Sequence, residues 1–300
     1  MITNEGKYQY LKENKAHGEL DFPFNIYKNS FDSRFENYIH WHDELEIIYI
    51  ESGEGVVSID LNTYNIKTGD IILIQKGALH YINNVSNSSL VTSTIVFHHS
   101  LIHNPLMDYC EKNFISPIIN NTIEVMPIIT SNNLGYSELL TFFLKIRCSY
   151  NEKSFGYQLE VKGLLTLTFF TLYKFGYIKE ITKIVDEKHK KRDTIQNVLY
   201  YINDNYSSKL DVSTLAKIAN YSDYHFIRFF KSVTGKTITQ YITSLRLEKA
   251  CQLLDGSNLS ISEISYAVGF NDTSYFIKIF KKYYFVSPSK FKKALVRDNL

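Results

Sequence analysis

The sequence is poor in cysteine, proline and tryptophan: its 300 residues include three cysteines, five prolines and one tryptophan. Cys110, Cys148 and Cys251 are far apart and match no disulfide or zinc pattern, so we expect reduced and mostly buried thiols. No run of about 18 apolar residues is present, and the N-terminus lacks the apolar core of a secretory signal. These absences predict a cytoplasmic protein that does not span a membrane.

Charge is unevenly distributed, although the formal net charge is only +2. Residues 191–300 hold 16 Lys and Arg against 9 Asp and Glu, a net +7, whereas residues 1–190 hold 17 against 22, a net −5. An excess of positive charge is what binding to nucleic-acid phosphates requires, although an excess of this size also suits an ordinary solvated surface. The length and the hydrophobic content of 44% favour two domains, each with its own core.

The C-terminal part contains one supersecondary pattern twice. The copies read LAKIANYSDYHFIRFFKSVTGKTITQYI from Leu215 and ISYAVGFNDTSYFIKIFKKYYFVSPSKF from Ile264. Each copy contains a short amphipathic helix, a turn and a longer helix with one apolar face, which is the pattern of a helix-turn-helix. Equivalent aromatic residues lie 50 positions apart, Phe226, Phe230 and Tyr241 matching Phe276, Phe280 and Phe291.

Capping signals place the ends of these helices. Ser260, followed three residues later by a glutamate, predicts a capping box, and Gly269 predicts the end of that helix. Ser222 is the predicted cap of the longer helix in the first copy, and Asn271 or Asp272 that of the second. Both longer helices then present a polar and basic outer face that fits the DNA major groove. The predicted DNA-binding residues are Ser222, Tyr224, His225, Ile227, Arg228, Lys231, Asn271, Thr273, Ser274, Lys278 and Lys281.

Short strands separated by turn signals precede this region, from Phe22 to about residue 100, and they predict an antiparallel sandwich or barrel. His40 and His42 have the spacing of one strand face, Glu46 keeps the same parity, and His80 follows two glycine-containing turns. Three imidazoles and a carboxylate suit a first-row transition metal. The alternatives are an effector pocket without metal and a structural set of hydrogen-bonded imidazoles, and we predict no cofactor.

The double repeat, the connecting helix TQYITSLRLEKACQLL and the signature SISEISYAVGFNDTSYFIKIFKKYYFVSPSKFKK resemble the AraC/XylS family of bacterial transcription regulators. The resemblance implies two recognition helices, at about 223–233 and 272–284, that enter successive major-groove segments. It places base contacts on Tyr224, Ile227, Arg228, Thr273, Ser274 and Lys278. The first helix is expected to discriminate more, because Thr273 and Ser274 are short.

The histidine-containing stretch resembles the two cupin motifs, with Gln75 at the usual proline. Sensor domains of the family hold a small effector in this barrel, often without metal. Apolar stripes after Tyr136 predict two helices, with Leu144, Leu159 and Leu167 among the inward residues. The resemblance favours dimerisation through this pair, whereas packing against the barrel is the alternative. A charged segment then predicts a tether between the domains.

We therefore expect an α+β protein whose N-terminal antiparallel β-barrel, cupin-like or jelly-roll-like, precedes an all-α double helix-turn-helix domain. Residues 1–177 form the effector-binding and dimerisation domain, with the barrel at about 22–100 and the helices at about 136–176. Residues 178–192 form the linker and residues 193–300 the DNA-binding domain.

The expected function is ligand-responsive, sequence-specific transcription regulation without enzyme activity. Activation is the default, with double-stranded DNA, a small effector, a second copy and RNA polymerase as partners. The alternatives are a metal-dependent cupin enzyme fused to a DNA-binding domain and a non-specific nucleoid protein.

Overall fold

The computed structural model describes residues 17–31, 39–60, 62–86, 88–180 and 183–298. These residues fall into two units, one ending at His189 and the other beginning at Lys190. None of the described helices is both long enough and apolar enough to cross a membrane.

Short antiparallel strands make up most of the N-terminal unit. They are β1 Phe24–Phe31, β2 Glu44–Ser52, β3 Glu54–Ile59, β4 Asn62–Lys67, β5 Ile71–Ile74, β6 His80–Asn84, β7 Leu90–His98, β8 Ile123–Val125, β9 Ile128–Ile129 and β10 Ile178–Glu180. One sheet has the order β1-β7-β2-β5-β9, a second has the order β4-β3-β6, and β8 pairs with β10. Gly53, with a φ of 92°, makes the tight turn between β2 and β3.

Alternating side chains of the five-stranded sheet supply two separate cores. Ile48 and Ile50 of β2 face the three-stranded sheet and join a cluster of buried aliphatic residues between the two sheets. Leu45 and Ile47 face the other way, towards three helices. These helices are α1 Ser116–Ile119, α2 Tyr136–Glu152 and α3 Tyr157–Lys174. The expected sheet-rich, cupin-like N-terminal fold with a helix pair is confirmed.

Seven helices follow, from the end of the N-terminal unit through the C-terminal one. They are α4 Lys183–Asn205, α5 Val212–Ile218, α6 Asp223–Thr234, α7 Ile238–Gly256, α8 Ile261–Ala267, α9 Thr273–Tyr284 and α10 Pro288–Asp298. The predicted repeat is present in three dimensions. The ring centroids of Phe226 and Phe230 lie 5.7 Å apart, as do those of Phe276 and Phe280. Phe230 packs on Tyr241 at 5.4 Å, and Phe280 packs on Phe291 at 5.6 Å.

The ends of the helices follow the predicted caps. The capping box of Ser260 is formed, and Gly269 adopts the left-handed conformation with a φ of 92° after α8. Asp272, rather than Asn271, caps α9, because its Oδ1 accepts the Tyr275 backbone N–H at 2.6 Å. The C-terminal ends of α6 and α9 also correspond: Gly235 has a φ of 70°, whereas the equivalent Phe285 has a φ of 61°.

Several local predictions were wrong. His40 and His42 precede β2 rather than lie within it, because the chain bends at Asp43 after pairing with His80. The segment 178–192, which the sequence predicts as the tether between the domains, contains β10, which pairs with β8, and the first ten residues of α4. Its position between the domains stays a prediction. Cys110 and Cys148 are exposed. Further residues predicted to point inward are exposed because they lie on the outer faces of their helices: Leu144, Leu159 and Leu167.

Candidate DNA-binding surface and sensor site

The first candidate DNA-reading helix, α6, has one apolar and one exposed face. Phe226 and Phe230 are fully buried, whereas the side chains of Tyr224, Ile227 and Arg228 are exposed. The Arg228 guanidinium carbon lies 5.7 Å from the centroid of the Tyr224 ring, which is within the range of a cation–π contact. The three predicted base-reading residues therefore share one solvent-facing surface.

The N-terminal end of α6 is fixed by two further residues of the predicted set. Ser222 Oγ accepts the His225 backbone N–H at 3.4 Å, and the centroid of the His225 ring lies 4.4 Å from that of Tyr221, with the two rings tilted by 44°. Tyr221 in turn packs edge-on against Phe229 at 5.0 Å. His225 is thus tied to the core of the motif, although its ring remains exposed, as does Lys231.

The equivalent face of α9 is smaller and more polar. Ser274, Lys278 and Lys281 are exposed, and so is Asn271 in the turn, whereas Thr273 is half-buried at the first position of the helix. Short hydroxyl side chains at this end and lysines one and two turns further along make a surface suited to phosphates as well as base edges.

The connecting helix α7 is joined to its surroundings by an arginine that the sequence reasoning did not single out. Arg246 Nε donates to the Tyr206 carbonyl at 2.7 Å, and its Nη2 donates to the Ser208 carbonyl at 2.8 Å. These carbonyls follow the end of α4, so the side chain fixes the turn between α4 and α5 against α7. Arg246 belongs to no sequence motif with a recognisable spacing. Only its contacts in the folded structure show its role.

The four predicted sensor-site residues do come together. The backbones of His40 and His80 exchange two hydrogen bonds, at 3.0 and 2.9 Å. The ring centroids of His40 and His80 lie 4.2 Å apart, and those of His42 and His80 lie 5.1 Å apart. Glu46 Oε1 lies 3.1 Å from His42 Nε2, and Glu46 Oε2 lies 3.6 Å from His80 Nε2.

Backbone carbonyls orient two of these rings. His42 Nδ1 lies 3.2 Å from the Glu44 carbonyl, and His80 Nδ1 lies 2.8 Å from the Ala78 carbonyl. A carbonyl can only accept, so both Nδ1 atoms carry the proton, and in the neutral ring Nε2 carries the lone pair. His42 Nε2 also makes a hydrogen bond with Glu46 Oε1 at 3.1 Å, and since an ionised carboxylate only accepts, that bond needs a proton on Nε2.

Burial controls the ionisation of this cluster. Desolvation lowers the pKa of His80 to about 3, with the neighbouring His40 adding to the effect, so the ring is neutral at physiological pH. Burial on its own would raise the pKa of Glu46. The attraction of His42 and the hydrogen bond with its ring outweigh that effect, and the pKa of Glu46 is lowered.

A fifth residue beside the cluster was missed by the sequence reasoning. His17 lies just before β1, and its ring centroid is 6.1 Å from that of His42. Its Nδ1 lies 3.0 Å from the Tyr27 hydroxyl, and the side chain is buried. No spacing rule connects position 17 to a motif that begins at position 40, so only the folded chain could place it there.

Two small cavities lie in the described part of the N-terminal unit. The larger of these two has a volume of about 20 Å³ and lies between the five-stranded sheet and α3, where Glu46, Phe169 and Leu172 are among its lining residues. That volume holds about one water molecule and is far below the 300 Å³ or more of a typical drug-sized site. The space between the two sheets is filled by Ile48, Ile50, Val57, Ile59, Ile66, Ile72, Ile74, Ala78, Ile82 and Leu90.

Comparison with known proteins matches both units. Residues 26–128 match the model of the AraC-like ligand binding domain, and residues 215–294 match that of a helix-turn-helix domain, so that together the matches cover more than half of the chain. The chain is 26% identical to the uncharacterised HTH-type transcriptional regulator YdeC of Bacillus subtilis, over 95% of this chain and 97% of that protein. It is 25% identical to the lactose operon transcription activator of Staphylococcus xylosus, over 83% and 84% of the two chains.

A similarity to a solved structure covers the C-terminal unit. The DNA-binding domain of AdpA, crystallised with a target DNA, is 28% identical; the match covers 34% of this chain and 91% of that one, with a TM-score of 0.33.

A ligand-binding-type sheet domain followed by a helix-turn-helix domain defines a DNA-binding transcription regulator. The chain belongs to the AraC/XylS family, as the repeat and its signature predicted.

Proposed function

We propose that this protein activates transcription in response to a small effector, binding two successive major-groove segments of one operator through α6 and α9. The observation that carries the proposal is the duplicated motif, in which two equivalent helices bury matching phenylalanines and leave polar faces exposed. The names of relatives such as the lactose operon transcription activator support activation. An activator of this kind acts in the cytoplasm and contacts RNA polymerase.

The effector site in this proposal is the cluster of His40, His42, Glu46 and His80. The cluster lies at one end of the space between the two sheets, and its imidazoles and carboxylate are buried or half-buried. A ligand binding there can change transcription only if it favours one of two arrangements of the protein over the other.

Arg228→Ala is expected to weaken binding to the cognate operator by roughly 1 to 3 kcal/mol, because the variant loses a two-pronged contact with a guanine edge. Electrophoretic mobility shifts or fluorescence anisotropy on a selected operator and on unrelated DNA of equal length would measure the change. The effect should be confined to the operator, since base contacts carry sequence information and phosphate contacts do not.

Arg228→Lys is the matched control, because it keeps the charge but removes the planar fork. We expect it to lose most of the discrimination while keeping affinity for unrelated DNA. An equal loss on both DNAs in Arg228→Ala, restored by lysine, would assign Arg228 to a phosphate instead.

We further propose that α3 forms the interface between two copies of the chain. Leu159, Gly163, Leu167 and Phe170 recur at helical spacing on its exposed side, and Phe170 is 59% exposed. A Cβ added at Gly163 would meet nothing within 4 Å, so the surface there is open to the close approach of another helix.

Leu167→Glu is expected to convert the dimer to a monomer, because a charge buried in an apolar interface without a partner is strongly unfavourable. Sedimentation velocity at micromolar concentration would measure the change, with Thr141→Glu on the exposed side of α2 as the control. An unchanged dimer in Leu167→Glu would place the interface elsewhere.

A further inference from the structure

Two exposed isoleucines lie at equivalent positions of the two copies of the motif. Ile227 of α6 and Ile277 of α9 are 50 residues apart, the same separation as that of the matching buried phenylalanines. Their side chains are 45% and 38% exposed, whereas Ile279, two residues further along α9, packs against the core of its copy. An apolar side chain thus recurs on the outside of both longer helices.

Both isoleucines lie within the candidate DNA-binding faces of these helices. An α-helix turns by about 100° per residue, so positions i, i+3, i+4 and i+7 share roughly one third of its circumference. These positions hold Tyr224, Ile227, Arg228 and Lys231 in α6 and Ser274, Ile277, Lys278 and Lys281 in α9, and all eight side chains are exposed. Buried phenylalanines occupy the opposite side of each helix. Each isoleucine therefore shares a solvent-facing surface with basic residues.

Nothing local favours isoleucine at these two positions. It has a lower helix propensity than the long polar residues, and its side chain exposes apolar surface to water. One exposed apolar residue needs no explanation, but two at equivalent positions, each followed by a basic residue, indicate a common contact. The apolar group that a base displays in the major groove is the C5-methyl of thymine.

We propose that Ile227 and Ile277 each contact the C5-methyl group of a thymine, one in each major-groove segment of the operator. These contacts rest on the proposed binding of α6 and α9 to one operator, and they add a chemical requirement for its sequence. Isoleucine offers no donor or acceptor, so a guanine or cytosine at the same place would leave a polar base edge dehydrated and unpaired.

The thymine in each segment lies close to the base pair that the following basic residue reads. Arg228 directly follows Ile227, and Lys278 directly follows Ile277. Neighbouring Cα atoms are about 3.8 Å apart and neighbouring base pairs about 3.4 Å apart, so the two side chains reach base pairs within about two positions of each other.

Ile277 contributes a larger share of the discrimination in its copy than Ile227 does. In α6 the ring of Tyr224, 5.7 Å from the Arg228 guanidinium carbon, adds a second apolar surface to the same face. In α9 the equivalent residue is Ser274, whose hydroxyl can pair with donors and acceptors alike, and the two lysines suit phosphates as well as bases. The sequence preference of the second segment therefore depends most on the isoleucine.

Deoxyuridine tests these contacts, because it differs from thymidine only in lacking the methyl group. An operator would be selected from random DNA with the full-length protein. Each of its thymines would then be replaced singly by deoxyuridine, and the affinity measured by fluorescence anisotropy. In each segment we expect one thymine at which the replacement weakens binding by about 3- to 5-fold, which is the effect of burying one methyl group.

Variants assign each methyl contact to its isoleucine. Ile277→Ala should abolish the deoxyuridine effect in one segment and Ile227→Ala that in the other, so each variant is the matched control for its counterpart. Both side chains are exposed and alanine is the stronger helix former, so both variants keep the fold. Lys282→Ala, which removes an exposed side chain outside this face of α9, should retain both effects.

The two possible failures can be told apart. A segment in which no thymine responds to deoxyuridine, or an effect that survives in both alanine variants, overturns the isoleucine contacts and leaves the proposed regulator in place. A selection that yields no preferred sequence rejects the proposed operator and the contacts together.

Discussion

Gly269→Ala is expected to destabilise the C-terminal unit by about 2 to 5 kcal/mol and to abolish specific DNA binding. Gly269 has a φ of 92°, and a Cβ at this position would lie 2.5 Å from the Ser207 carbonyl oxygen and 2.8 Å from the Ser207 Cα. A left-handed conformation costs a non-glycine residue about 1 to 2 kcal/mol, and forcing an atom into a filled space adds roughly 1 to 3 kcal/mol.

Two other glycines of the same unit separate these contributions. Gly235 has a φ of 70° but open space around it, so Gly235→Ala should lose only the conformational part, about 1 kcal/mol. Gly256 lies at the end of α7 in open space without a positive φ, and Gly256→Ala should be neutral or slightly stabilising. Urea unfolding followed by circular dichroism would rank the three variants, and equal losses at 235 and 269 would refute the steric part.

The stability of the C-terminal unit is expected to fall as the pH rises from about 4.5 to about 8, because of Glu248. Burial of this side chain in α7 raises its pKa from 4.5 to about 8, despite the opposing influence of Lys249 and Lys236. Its Oε1 is buried and, among the described residues, has no hydrogen-bond partner. The folded chain therefore holds a proton that the unfolded chain releases above pH 4.5.

The sign and size follow from linkage between protonation and folding. Between the two pKa values the folded state binds more protons, so each unit of rising pH removes up to about 1.4 kcal/mol, and the total loss by pH 8 is at most about 5 kcal/mol. Glu248→Gln keeps the shape but cannot ionise, and it should flatten this part of the curve. Parallel urea titrations at pH 5, 6, 7 and 8 would measure it; equal slopes in both proteins would show that Glu248 is ionised when folded.

The helix-turn-helix repeat could be predicted from sequence because its signals are local. Ser260 with its glutamate three residues on, Gly269 and Ser222 each fix a helix end through contacts within a few residues. The apolar spacing of Phe226 and Phe230 does the same for the buried face. The choice of Asp272 over Asn271 could not be predicted, since both side chains can accept the same backbone N–H.

The sensor cluster was predictable only in part. His40, His42 and Glu46 were expected to share a strand face, and they do converge on His80. They converge because His40 pairs with His80 ahead of β2, not because one strand carries all three. His17 and Arg246 reach their places through contacts between distant parts of the chain. The charged run before residue 192 fits a solvated helix as well as a linker, and the sequence contains no feature that decides between them.

The two copies of the motif differ in the residue that occupies the left-handed position after the longer helix, which is Phe285 in the second copy. The first copy ends its longer helix with Gly235, whereas the second places an aromatic residue, 80% exposed, in the same left-handed turn. Because so little of that ring is buried, removing it would forfeit little packing, while glycine would relieve a backbone penalty of about 1 kcal/mol. Phe285→Gly, which places the glycine of the first copy at the equivalent position of the second, should therefore stabilise the C-terminal unit.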